Sequence, residues 1–281
     1  MAEASPVRRI AVRAPDGIQI VGAASGEGPG LAFVYGAMME QTGWERLLPY
    51  LQPGRTLYTY DRRGRGESTD GPTYAVEREV DDLMAFVETM PQPRDLFAHS
   101  SGALLALYAM ERGLRVRRLL LYEPPMAAVR LPLLGLELPD RIDALVAQGD
   151  RDGALELFFR EGMEQLAMDI QRLRDGPRWL DQTRYVQTGS YDVRITRTYE
   201  VRPERLAQID VPTLFLLGTR SPSWMQEGVR RFAAMVPGSR LEMLDGQGHN
   251  AQFQGPDVLA AAINAFLQER RPRNRRNASS P

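Results

Sequence analysis

The chain of 281 residues contains no cysteine, which excludes a disulfide framework, thiolate zinc sites and a cysteine nucleophile. It contains no lysine either, all 35 basic residues being arginine. Schiff-base catalysis and the P-loop, whose lysine reaches the terminal phosphates, are thereby removed. The arginine-only set itself reads as coding bias rather than function. Histidine is scarce: His99 and His249 are the only two, too few for a polyhistidine metal centre, so any acid–base work by an imidazole falls to one of them. No apolar run approaches the roughly 18 residues of a membrane span; Ala103–Met110 is a typical short one. An excess of one charge is also lacking, 35 basic residues standing against 36 acidic for a net charge of −1. That balance argues against a general nucleic-acid or anionic-membrane binder. The opening residues MAEASPVRRI have no apolar centre of the kind a signal peptide carries, so a cytoplasmic location is expected.

What is present is ordinary globular material, 43% apolar and 25% charged, long enough for one large α/β domain or a core with a sizeable insertion. RRIAVRA and IQIVGAA flank a Pro-Asp-Gly turn and read as a hairpin. LAFVYG is a buried third strand, followed by a loop and a helix around Trp44–Leu51; TLYTY is the fourth strand. Val76, Val80, Leu83, Met84 and Val87 recur at helical spacing. DLFAHS then reads as a fifth strand, SGALLALYAMERG as a buried helix ending at Gly113, and VRRLLLYE as a sixth strand closed by Pro124–Pro125. From about Met126 to Asp210 the pattern is helical, with helices expected at Arg141–Ala147, Ala154–Gly162 and Glu164–Leu173 and no convincing strand. VPTLFLLG, a helix around Met225–Met235, RLEMLDG and a helix over Asp257–Arg270 complete the pattern. Strands alternating with helices imply a mostly parallel sheet flanked by helices. The helical block after strand six is expected to lie over the sheet's carboxyl edge, where such sheets bind ligands.

The most informative residues are Ala98-His99-Ser100-Ser101-Gly102, where an apolar strand turns directly into an apolar helix. A nucleophile at such a place occupies a strained turn, and the residues two before and two after it must be small because backbones crowd there. With Ser100 at the apex those neighbours are Ala98 and Gly102; with Ser101 there, bulky His99 takes a crowded position. Ser100 is therefore the candidate nucleophile. The competing reading is a serine that merely caps the following helix. His249, in GQGHNA after the last strand, is the candidate base that takes the serine proton and later returns it. His99 is expected to pack structurally.

These residues, together with FVYGA after strand three, YDRRGRGES after strand four, LYEPP after strand six and GQGHNA near the end, resemble the α/β-hydrolase superfamily over nearly the whole chain, to about Gln268. An early serine and a late histidine follow that family's order. Small bacterial serine esterases and discrete thioesterases with an SSG nucleophile elbow resemble it most, some of them acting in specialised metabolism. The resemblance implies an oxyanion hole made by the backbone N–H groups of Ala37 and Ser101. Two departures stand out. Tyr35-Gly36 replaces the family's usual His-Gly, so Tyr35 is expected to enlarge or redirect the pocket, with Met38 and Met39 beside it as an apolar wall. Tyr35 and Met38 are thus candidate substrate-binding residues. Many relatives also carry their acid three residues past the glycine that ends strand seven, where Gly218-Thr219-Arg220-Ser221 places a serine. Other relatives put the acid at the end of strand six, where Glu123 stands, and Glu123 is accordingly assigned as orienter of His249. A strand-end carboxylate paired with an arginine is the plainer alternative. Asp245 is expected to shape its own turn, and Glu227 and Asp192 are outsiders for the acid. In YDRRGRGES the resemblance implies a structural turn, with Asp61 and the arginines bonded internally and no phosphate clamp.

The expected layout is a hydrolase core over 1–125 and 211–270, a helical cap over 126–210 and a disordered basic tail over 271–281. Trp179, Tyr185, Tyr191, Phe158 and Phe159 lie in the cap, some packing its core and some lining the cleft. The expected function is a cofactor-independent, metal-free serine hydrolase. Its substrate is an ester or thioester of a small, fairly apolar acyl compound, free or carrier-protein-bound. The alternatives are a cyclase, lyase or cofactor-free oxygenase on the same fold, kept open by Tyr35, and a non-enzymatic small-molecule binder.

Overall fold

Strand and helix periods alternate along the chain, and they fold as alternating layers. The computed structural model describes residues 7–51, 54–126, 129, 135–163 and 167–269. Among these residues eight strands make one sheet: β1 (Arg8–Arg13), β2 (Gln19–Gly26), β3 (Gly30–Val34), β4 (Thr56–Tyr60), β5 (Arg94–His99), β6 (Arg118–Tyr122), β7 (Thr213–Gly218) and β8 (Arg240–Leu244). Their order is β1-β2-β4-β3-β5-β6-β7-β8. The β1–β2 hairpin is antiparallel and closes with Arg13 opposite Gln19; β2 also runs antiparallel to β4, and the remaining pairs are parallel. Every residue of β3, β5, β6 and β7 is buried, as parallel strands covered on both faces must be.

Alternate residues of those strands point into two cores. Val34, Ala98, Leu121 and Leu217 pack with α1 (Val76–Glu88), α2 (Ser101–Glu111) and α9 (Ser223–Met235). Phe33, Phe97, Leu120 and Leu216 pack with α11 (Pro256–Gln268) and with Trp44 and Leu47. In α1 the expected stripe is inward, with Val76, Val80, Leu83 and Val87 buried. Instead of one helix around Trp44–Leu51 there are two 3₁₀ turns, Gln41–Trp44 and Leu48–Tyr50. Gly43 and Pro49 interrupt that stretch, and Pro49 has no N–H to give an α-helical ladder.

Between β6 and β7 the described residues form α3 (Leu138–Ala147), α4 (Arg151–Leu157) running into a π-helical turn (Phe158–Gly162), α5 (Ala167–Arg174), α6 (Arg178–Thr183), α7 (Gln187–Thr198) and α8 (Pro203–Leu206). A further short helix, α10 (Ala251–Gln254), follows β8. Leu138, Ile142, Leu155, Phe158, Trp179 and Val193 form a third apolar cluster, joined by Met38 from the loop after β3. The periodicity missed α7 because its inward face holds Thr188, Ser190, Asp192 and Thr196 beside Val193 and Ile195. The tail 271–281, residues 164–166 of the third expected helix and Arg270 lie outside the described residues. Among those described, no helix is long and apolar enough to cross a membrane.

Candidate active site

Among the described residues, three other than glycine have positive φ: Met38 at 56°, Ser100 at 55° and Glu123 at 50°. They follow β3, β5 and β6, at the carboxyl ends of adjacent strands. Such a backbone costs about 1–3 kcal/mol per residue and persists only where packing enforces it. The enforcement at Ser100 is visible. A Cβ on Gly102 would come within 2.1 Å of the Tyr35 carbonyl oxygen, and one on Gly36 within 2.7 Å of the Ser100 Cβ. Ala98 is fully buried. The crowding that singles out Ser100 over Ser101 is therefore physical, and Ser101 is instead the buried first residue of α2.

Ser100 Oγ lies 2.9 Å from His249 Nε2, and His249 Nδ1 lies 2.6 Å from Glu123 Oε2. With Nδ1–H donating to the carboxylate, Nε2 is left to accept the serine proton. Glu123 is fully buried, and its other oxygen accepts from the Gly218 N–H at 2.8 Å and the Ser221 hydroxyl at 2.5 Å. The loop carrying His249 is tied down at successive points. His99 Nε2 donates to the His249 carbonyl at 2.9 Å, Tyr122 donates to the Gly248 carbonyl, and the Ala251 N–H donates to the Tyr122 hydroxyl at 3.3 Å. Burial, reinforced by the neighbouring His249, holds the His99 imidazole well below its ordinary pKa, so His99 stays neutral and keeps its Nε2–H for that carbonyl. Among the described residues, no three His, Asp or Glu side chains are grouped as a metal site requires.

The other candidate carboxylates lie elsewhere. Asp245 is exposed and accepts from the Thr219 hydroxyl at 3.4 Å; Glu227 pairs with Arg231 on the surface of α9. Asp192 is buried beneath the elbow, bonded to Ser101, Arg62 and Arg65. Asp61 accepts from the N–H groups of Gln41 at 2.8 Å and Glu67 at 3.0 Å. Arg63 grips Asp82, so the arginine-rich turn after β4 is bonded inward.

The oxyanion candidates Ala37 and Ser101 both border a cavity of about 160 Å³ beside Ser100, walled by Pro125, Val193 and Met225. A larger chamber of about 860 Å³ also reaches Ser100, where Met38, Met39, Phe159 and Leu173 meet Arg46 and Arg178. Met38 thus borders the chamber. Tyr35 requires a correction. Its side chain is fully buried, its ring stacks on Trp44 at 4.8 Å, and it borders neither cavity. As the last residue in line with β3, its side chain falls on the core face that holds Phe33 and Trp44, away from both cavities. The feature that kept a non-hydrolytic chemistry open is thereby removed from the site.

Contacts that the motifs did not reveal are those of Ser221, whose hydroxyl donates to Glu123, and of Asp192, which reaches the elbow from α7. The serine in the position where relatives often have an acid was the available signal for Ser221. Asp192 lies 91 positions from its hydrogen-bond partner Ser101, and nothing local marks it.

An α/β hydrolase from Sphaerobacter thermophilus matches the fold with a TM-score of 0.84 and 34% identity over 92% of this chain and 100% of its own. N-formylmaleamate deformylase from Pseudomonas putida is 25% identical over 86% of this chain and 90% of its length. The mouse sn-1-specific diacylglycerol lipase ABHD11 is 22% identical over 85% and 81%. The family model described as "Alpha/beta hydrolase family" matches residues 29–262. With the serine at the strand-to-helix turn and the sheet order above, the chain belongs to the α/β-hydrolase family.

Proposed function

We propose that the protein is a serine hydrolase cleaving an ester or thioester of a small molecule with an apolar acyl group, through an acyl-enzyme. The observation that carries this reading is the unbroken relay from Ser100 Oγ to His249 at 2.9 Å and from His249 to Glu123 at 2.6 Å. Ser100 attacks the carbonyl carbon while His249 Nε2 takes its proton. The negative oxygen that forms is held by the N–H groups of Ala37 and Ser101. His249 then protonates the leaving alcohol or thiol, and a water activated by the same imidazole hydrolyses the acyl-enzyme. Glu123 fixes the tautomer and carries the charge that develops on the ring.

The two chambers divide the substrate. The small one, between Val193 and Met225, suits a short apolar group; the larger, more polar one accommodates the other side of the scissile bond. The described helices between β6 and β7 act as a cap, supplying Phe158 to both, with Met163 beside it. The leaving group is free or carried on a protein. Assays with p-nitrophenyl esters and acyl thioesters of graded chain length test the reading. Turnover falling steeply beyond short chains and vanishing in Ser100→Ala is the expected result; undiminished turnover in that variant refutes it.

A further inference from the structure

A cluster of four buried charges lies beneath the elbow: Arg62, Arg65, Glu79 and Asp192. Arg62 donates through Nε to Glu79 at 2.7 Å, and Arg65 reaches Glu79 at 3.2 Å and Asp192 at 2.7 Å. The Nη1 of Arg62 faces four acceptors: the carbonyls of Tyr35 at 3.1 Å and Gly36 at 3.0 Å, the Ser101 hydroxyl at 3.3 Å and Asp192 Oδ1 at 2.9 Å. The Ser101 hydroxyl in turn donates to that same Asp192 oxygen at 2.7 Å. One ion pair thus grips both segments from which an oxyanion hole is built, the loop after β3 and the start of α2. We propose that the Asp192–Arg62 pair is a positioning element that aims the Ala37 and Ser101 N–H groups at the reacting oxygen, and so makes helix α7 part of the catalytic framework.

The argument is geometric. Among the described residues the only cis peptide is Gln92–Pro93, so Gly36–Ala37 is trans, and its C=O and N–H point in opposite directions. Holding the Gly36 carbonyl on the buried guanidinium turns the Ala37 N–H away from it, toward the cavity that Ala37 borders. The same cation polarises the peptide and strengthens its N–H as a donor. At the start of α2, Asp192 and Arg62 hold the Ser101 side chain, which fixes the residue whose N–H is the other donor. Asp192 is supplied by α7, inserted between β6 and β7. Without its charge, two buried guanidiniums would compete for Glu79 alone, and Arg62 would lose its register against β3.

This inference rests on the serine-hydrolase reading, and its test separates the two. Asp192→Asn is compared with Asp82→Asn, which breaks the neighbouring buried Arg63 pair at 2.6 Å without touching either oxyanion segment. Each variant is assayed for thermal stability, for kcat and KM on p-nitrophenyl butyrate, for the labelling rate of Ser100 by a fluorophosphonate, and for inhibition by an alkyl boronic acid. Removal of an oxyanion donor costs about 10²–10³ in kcat, and misaiming one is expected to cost roughly 10–100-fold. Asp192→Asn should lose that much in kcat, labelling rate and boronate affinity, with KM little changed. Asp82→Asn should keep kcat, whatever its effect on stability. If Asp192→Asn does not fold, Ser101→Ala takes its place; it removes only the hydroxyl link and is expected to lower kcat several-fold at constant KM. Equal kcat losses in the Asp192 and Asp82 variants, or wild-type labelling in the folded Asp192 or Ser101 variant, overturn the positioning role alone. A wild-type protein that no phosphonate labels overturns the hydrolase reading and this inference with it.

Discussion

Ser221 donates its hydroxyl to Glu123 across 2.5 Å, so the residue standing where many relatives keep an acid holds the carboxylate that we propose as the acid, at the end of the neighbouring strand. A hydrogen bond to a buried carboxylate is worth roughly 1.5–3 kcal/mol, and Ser221→Ala is expected to lower kcat by about tenfold. The proximity also makes the acid movable. In a Glu123→Gln, Ser221→Asp double variant the carboxylate returns from β7, and activity should recover part of what Glu123→Gln alone loses. Steady-state kinetics on one ester decide it; no recovery would show that the 221 position cannot reach His249.

Glu123→Gln by itself should cost roughly 10³–10⁴ in kcat, the loss expected when the imidazole is left in the wrong tautomer. Asp245, exposed and bonded only within its own turn and to Thr219, should tolerate replacement by Asn with kcat within about twofold of wild type. The reverse ranking would transfer the acid to Asp245.

His99 links pH to stability. Burial holds its folded-state pKa well below the ordinary 6.5, so below that value the unfolded chain binds a proton that the folded protein refuses. Its contribution is fully present above about pH 6.5 and shrinks as pH falls beneath it. His99→Gln can keep the donor to the His249 carbonyl and cannot titrate. The stability difference between wild type and variant, followed by denaturant unfolding, should move in the variant's favour from pH 7 to pH 5. A constant difference contradicts the account.

Glu79 acts lower on the scale. Burial opposes its ionisation, but Arg62 and Arg65 overcome it and pull the carboxyl from 4.5 down to about 2. Stability from this group is present above pH 4.5 and is lost as pH falls toward 2, a change of roughly 3 kcal/mol by linkage. Asp82, pushed up to about 6 chiefly by burial, works in the opposite direction between about pH 4 and 6. In Glu79→Gln the lower acid limb should flatten, and the variant should be less stable at neutral pH.

Gly102→Ala tests the crowding at the elbow. Its Cβ would lie 2.1 Å from a backbone carbonyl oxygen, which cannot swing aside as a side chain would. A loss of about 1–3 kcal/mol is expected, read as a Tm several degrees lower, with Ser100 labelling slowed as well. An unshifted Tm would mean that the turn has slack.

Much of this architecture was legible from local pattern. The hairpin at Pro15-Asp16-Gly17, the α1 stripe and the alternation of β and α each follow from neighbours in sequence, and so does the small–serine–small crowding around Ser100. The illegible parts depend on distant partners. Tyr35 borders the turn in sequence, yet its side chain belongs to the core face with Trp44, and strand alternation beyond Val34 decides that. Helix α7 escaped notice because its inner face meets the Arg62–Arg65 cluster and is polar for that reason. The short helices after β6 and the 3₁₀ turns near Trp44 are fixed by tertiary packing more than by their own propensity.

The central claim is that the Ser100 hydroxyl is activated by His249. Mass spectrometry of the intact and digested protein after exposure to a fluorophosphonate tests it most directly. One adduct per chain, located on Ser100 and abolished in His249→Ala, is the result this account predicts. Absence of any adduct on Ser100 in the active, folded protein, or labelling of Ser100 that is indifferent to the loss of His249, would contradict it.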